Sequence, residues 1–116
     1  MTTINVSTDS SGNVTLSNNG NATSPRKGEV QWNVTGSLLK TIAIRPFIQP
    51  NTNQTDIWST PPAPFPNNNP PDNVSINWQG TVFDNDGEEY YYLDWTKKDN
   101  STGTIDPKIT VRATNR

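Results

Sequence analysis

Apolar and polar residues alternate along several short stretches of this chain. The clearest is Lys27-Gly28-Glu29-Val30-Gln31-Trp32-Asn33-Val34-Thr35. Val30, Trp32 and Val34 fall on one face and Glu29, Gln31, Asn33 and Thr35 on the other, the period-two signature of a half-buried strand. A tryptophan in mid-strand buries more apolar surface than any other side chain, so this strand is expected to hold one sheet against another. The same period sets Tyr91, Leu93 and Trp95 against Tyr90, Tyr92 and Asp94 in residues 88–96, and it returns in Ile109, Val111 and Ala113. Weaker alternation predicts strands at 4–7 (Ile4, Val6), at 13–17 (Val14, Leu16), at 38–45 (Ile42, Ile44), and from Val74 through Ile76 and Trp78 to Phe83. Trp32, Trp78 and Trp95 are the expected core.

Turn chemistry separates these stretches. Asp9 to Asn13, Ser24-Pro25 with Gly28, Gly36-Ser37, Asp84-Asn85-Asp86-Gly87 and Lys97 to Gly103 all carry residues suited to tight turns. Pro46 is expected to end the strand before it, because proline donates no ladder hydrogen bond. Residues 46–72 contain eight prolines and read as one long Pro/Asn-rich loop with extended, polyproline-like backbone. About seven or eight short strands, with no helix-forming run, predict an all-β fold: a two-sheet antiparallel Greek-key β-sandwich. One domain spanning residues 1–116 fits the length.

Composition narrows the picture. Only 29% of residues are hydrophobic, so the core must rest on four Trp, three Tyr and three Phe. The sixteen Asn suit turns and the sixteen Thr suit strands. A net charge of −2 and regular aromatic spacing favour a folded chain over a disordered one. Basic residues are scattered, so no phosphate-binding stripe forms and nucleic acid is not an expected partner. No apolar run is long enough for a membrane span. Met1 to Asn5 lacks the basic and apolar regions of a secretory leader, which points to the cytoplasm, or to the outside if a leader has been removed.

The chain has no Cys and no His. That removes disulfides, thiol chemistry, imidazole bases and the usual zinc and copper ligands. No nucleophile–base pair stands out, so neither an enzyme nor a cofactor is expected.

Lys27-Gly28-Glu29-Val30-Gln31-Trp32 is similar to the K-G-D-x-V-x-W strand of cupredoxin-like β-sandwiches. Tyr91-Tyr92-Leu93-Asp94-Trp95, followed by Ile109-Thr110-Val111, resembles that family's Y-x-F-x-C … I-x-V ending. Both segments also fit small bacterial immunoglobulin-like domains, with Asp9 to Thr15 as the opening. The resemblance implies a sandwich scaffold. It does not extend to the metal: Trp95 stands where the family places its copper-binding Cys, and Thr96 to Asp106 offers no His or Met. Type 1 copper needs a thiolate and two imidazoles.

Four features are candidate sites. Asp84, Asp86 and Glu88, with Glu89, surround Gly87 and could offer carboxylate oxygens to calcium, but the distal ligands of a calcium loop are missing, and a solvated hairpin turn is the favoured reading. Trp58 and Phe65 either fold back as a lid over the core or lie exposed. If exposed, they join Tyr90 and Tyr92 in an aromatic surface for a carbohydrate or peptide. For the tyrosines, cross-strand packing within the sheet competes with that role. Seven Asn-x-Ser/Thr triplets, at Asn5, Asn13, Asn21, Asn33, Asn53, Asn73 and Asn100, reflect composition more than glycosylation. Finally, Ile4, Val6, Val14 and Leu16 mark strands without charge, an edge open to strand addition. The leading expectation is a non-catalytic structural or self-associating protein, a homo-oligomer or a partner of another protein. The alternative is a carbohydrate- or peptide-binding module.

Overall fold

The computed structural model describes residues 1–52, 54–66 and 76–112. The strands are β1 (Thr2–Thr8), β2 (Val14–Leu16), β3 (Ala22–Pro25), β4 (Glu29–Val34), β5 (Leu39–Phe47), β6 (Trp58–Pro66), β7 (Ile76–Val82), β8 (Gly87–Lys97), β9 (Thr102–Ile105) and β10 (Lys108–Arg112). A 3-10 turn, Ser17–Gly20, links β2 to β3. Among the described residues there is no α-helix, and none long and apolar enough to cross a membrane.

The fold is an all-β, sandwich-like pair of sheets. The first has the order β2-β1-β4-β7-β6, the second β3-β10-β8-β5, with β9 also pairing β8. Both sheets are mixed, where the sequence suggests antiparallel ones: β1 runs parallel to β4, and β10 parallel to β3. The cause lies in the connection. The chain leaves the first sheet after the β1–β2 hairpin, lays β3 on the second sheet, and returns as β4 in the direction of β1. Among the described residues, ten strands replace the expected seven or eight, because β3, β6 and β9 lack strong alternation.

Residues 46–72 are not one loop. β5 continues through Pro46 to Phe47, and the proline run 58–66 is itself strand β6. Both strands lie at sheet edges, where a missing N–H on the solvent side costs no ladder bond. Pro62, Pro64 and Pro66 are spaced by two and so share one side, leaving Ala63 and Phe65 to offer N–H groups to the other. Asn67 to Pro71, Val74, Ala113 and the triplets at Asn53 and Asn73 lie outside the described residues.

Trp32 is fully buried at the centre. Its ring meets Tyr91 edge-on at 5.1 Å and Trp58 at 5.9 Å. Around it pack Ile4, Val6, Val30 and Val34 of the first sheet, and Ile42, Ile44, Leu93, Ile109 and Val111 of the second. Trp78 and Trp95 are only partly buried, at the margin of this cluster. Trp95 lies across Gly103, its partner on β9, and a Cβ there would overlap the indole. The core place goes instead to Trp58, whose ring lies 2.9 Å from where a Cβ on Gly80 would stand. The buried Tyr91 hydroxyl donates to the Gly20 carbonyl at 2.5 Å and ties the 3-10 turn to β8. Burial pushes the Tyr91 phenol well above its ordinary pKa.

Candidate functional site

The solvent face of the second sheet carries two of the candidate aromatics, Tyr90 and Tyr92. Register sets Arg45 opposite Tyr92, and Phe47 opposite Tyr90. Phe47 stacks on Tyr92 with centroids 4.1 Å apart and planes 12° from parallel, and it meets Tyr90 at 5.9 Å. The Arg45 guanidinium sits 4.7 Å from the Tyr92 centroid. It also grips Asp94 through Nε and, at 3.0 Å, through Nη2. The Thr104 hydroxyl donates to the same carboxylate at 2.7 Å. The Arg45 hydrogen bond, with help from Thr104, holds the Asp94 carboxyl below its ordinary pKa. With Phe47 stacked on it and Arg45 over it, Tyr92 keeps little free ring face for a sugar. Cross-strand contact with Phe47 engages both Tyr90 and Tyr92.

The other aromatics do not join them. Trp58 is 4% exposed and belongs to the core, so it offers no binding platform. Phe65 is 40% exposed, but it stands on β6 of the first sheet, opposite Asn77. Here Asn77 is buried within a ladder of amides. Its Nδ2 donates to Asn33 Oδ1 at 3.0 Å, and Asn33 Nδ2 donates in turn to Asn5 Oδ1 at 3.3 Å. The Val34 N–H donates to Asn77 Oδ1 at 2.8 Å. Asn5 and Asn33, two of the Asn-x-Ser/Thr positions, therefore serve as cross-strand links.

The acidic turn is arranged as ion pairs. Asp86 faces Arg26 Nε at 2.9 Å, Asp84 faces Lys27 Nζ at 3.8 Å, and Glu88 faces Lys108 Nζ at 3.2 Å. The turn is not the hairpin the sequence suggests, because β7 and β8 lie in different sheets and do not pair. The first two ion pairs dock this crossing between the sheets onto the β3–β4 turn, where Lys27 N–H also donates to the Phe83 carbonyl. The carboxylates point to three different cations and do not converge as a calcium cage. Among the described residues, no group of three or more His, Cys, Asp or Glu side chains is placed to hold a metal.

The uncharged edge is smaller than the sequence suggests. β1 is an inner strand between β2 and β4, so Ile4 and Val6 are fully buried core residues and form no edge. Its low apolar content marks β1 as peripheral in the sequence, but its parallel pairing with β4 brings it inside. The edge is β2 alone. Val14 and Leu16 are half-buried there and, with Thr15, Asn19 and Ile105, line a cavity of about 190 Å³ between the two sheets.

Glu89, which the sequence offers only as part of the acidic cluster around Gly87, is a buried site-like residue of a different kind. It is 4% exposed on the core face of β8, and its Oε1 accepts the Ile57 N–H at 3.1 Å. Burial pushes its carboxyl up to about 7, the Ile57 bond opposes this, and the nearby Asp56 charge adds to it. A signal existed: Glu89 shares the parity of Tyr91, Leu93 and Trp95, which points it inward. No family model and no curated protein matches the chain.

Proposed function

We propose that this chain is a non-catalytic β-sandwich module, cupredoxin-like or immunoglobulin-like without the copper ligands, that works by protein–protein contact and chiefly with copies of itself. The observation that carries the reading is the mutual satisfaction of its polar and aromatic candidates. Arg45, Asp94 and Thr104 bond to one another, Tyr92 is stacked, and Asp84, Asp86 and Glu88 face cations. Surfaces built this way have little left for small-molecule chemistry. What they do offer is main-chain donors and acceptors at open strand edges, which add strands readily. A net charge of −2 gives weak repulsion between copies.

Light scattering on untagged protein over a wide concentration range tests the reading, and mass should rise with concentration. A strict monomer at the highest concentration refutes it. A second reading, a carbohydrate- or peptide-binding module, is favoured by exposed Phe65 and the half-buried Tyr90. Glycan-array binding that disappears in Phe65→Ala or Tyr90→Ala would establish it.

A further inference from the structure

Among the described residues, five strands leave one side unpaired: β2 and β6 in the first sheet, and β3, β5 and β9 in the second. Three carry features that deter a neighbour. β5 holds Lys40, Arg45 and Pro46, β6 holds Pro61, Pro62, Pro64 and Pro66, and β3 ends in Pro25 and runs straight into Arg26 and Lys27. Charge and proline are the usual means of blocking edge-to-edge pairing. β2, Val14-Thr15-Leu16, has neither. Among the described residues no strand pairs its outer side. The acid nearest in sequence, Asp9, is turned onto its own loop, where it accepts the N–H groups of Ser11 and Asn13 at 2.9 Å each. Beside β2, across the cavity, lies β9, Thr102-Gly103-Thr104-Ile105, also uncharged and paired only with β8.

Resting on the self-association reading above, we propose that the contact is made by β2 pairing antiparallel with β2 of a second copy across a two-fold axis. The sequence of the edge selects that occupant. With Thr15 at the axis, Thr15 opposes Thr15, a favourable cross-strand pair, and Val14 opposes Leu16 twice over. Every side chain thus meets a compatible one, and no charge meets its own sign. Val14 and Leu16 already pack on the core from one side, and the second copy would cover the cavity they share with Ile105. The two five-stranded sheets would run on as a single sheet. A three-residue strand and one cavity mouth fall short of the roughly 1,200 Å² that stable interfaces bury, so the dimer is weak and concentration-dependent.

The chain has no cysteine, which makes cross-linking a clean assay. Directly opposed residues of an antiparallel pair have Cα atoms about 4.5–5.5 Å apart. That lies inside the roughly 4.4–6.8 Å range of disulfides. Untagged protein, Thr15→Lys, Thr15→Cys and the β5-edge controls Thr41→Lys and Thr41→Cys would be compared by sedimentation equilibrium, thermal melting and non-reducing electrophoresis after mild oxidation. The expected result is a parent whose mass doubles with concentration, a Thr15→Lys variant that stays monomeric at an unchanged melting temperature, and an unaffected Thr41→Lys. Thr15→Cys should form a covalent dimer and Thr41→Cys should not, a readout that stands even if Thr15→Lys fails to fold. Association that survives in folded Thr15→Lys, with no Thr15→Cys dimer, overturns this interface and leaves the self-association reading intact. A parent that remains monomeric throughout overturns both.

Discussion

Glu89→Gln removes the charge of a carboxyl that the fold keeps 4% exposed, yet retains an oxygen able to accept the Ile57 N–H. In the unfolded chain this carboxyl titrates near its ordinary value of 4.5, and in the folded chain near 7. Between those values the folded state holds a proton that the unfolded state has lost, so stability falls as pH rises from about 4.5 to about 7 and then levels off. At about 1.4 kcal/mol per unit the full shift would be worth about 3 kcal/mol. Exposed Asp56 beside it brings water close, and an effective dielectric near 20 trims this to roughly 1–2 kcal/mol. For a domain of this size that is roughly 4–8 °C in melting temperature. Thermal unfolding of parent and variant between pH 5 and pH 8 is the assay. The parent should lose stability across the window and the variant should not, so the curves separate by that amount at pH 8. Below the window both should weaken together, because Asp9, Asp94 and Asp99 are held below their ordinary pKa values by hydrogen bonds and lose that stabilisation as they protonate. Parallel curves between pH 5 and pH 8 would show that Glu89 is hydrated in the folded protein and would refute the reasoning.

Trp32→Ala should cost roughly 3–5 kcal/mol and abolish soluble expression, whereas Trp95→Ala at the core margin should cost distinctly less in urea unfolding. Arg45→Ala should change stability by under about 1 kcal/mol, since the Asp94 pair is largely exposed. Its clearer mark should be an upward move of the Asp94 titration followed by NMR. Deleting Pro61–Pro66 should destabilise the domain by removing six of the nine residues of β6, buried Pro62 among them, and the support beside buried Trp58. An unchanged melting temperature there would return this segment to the status of a dispensable loop.

What could be read in advance divides by range. The alternation around Trp32 placed Val30, Trp32 and Val34 inward, and the structure buries all three. Period-two burial is a property of a strand and its nearest sheet, and it needs no knowledge of which strand lies alongside. The missed strands β3 and β9 lack local alternation, and the larger errors concern partners distant in sequence. Ile4 and Val6 look peripheral because β1 is poor in apolar residues and uncharged. Yet β1 pairs with β4 from Thr2 opposite Val30 to Val6 opposite Val34, and nothing local in either strand announces a parallel match. Trp58 sits in a proline-rich stretch that local rules assign to a loop. Those rules assume that every N–H of a strand is needed, and an edge strand needs only alternate ones.

Trp95 shows the same limit from the other side. Its parity with Tyr91 and Leu93 is correct, and it does face inward. How deep it sits is settled by Gly103, eight residues later, whose missing side chain lets the indole lie flat at the margin instead of pointing into the centre. Facing is therefore encoded locally and depth is encoded by the partner. The same distinction separates the candidate sites. Tyr90 and Tyr92 face outward as their parity requires, but whether an outward ring is a free platform depends on Phe47 and Arg45, contributed by a strand more than forty residues earlier. Glu89 faces inward by the same parity, and what makes it a titrating group in the neutral range is the segment carrying Ile57 and Asp56, which closes over it from the first sheet's side of the chain. A functional reading of such a domain gains most from long-range pairings, because they decide which side chains are spent on one another and which strand edge is left open.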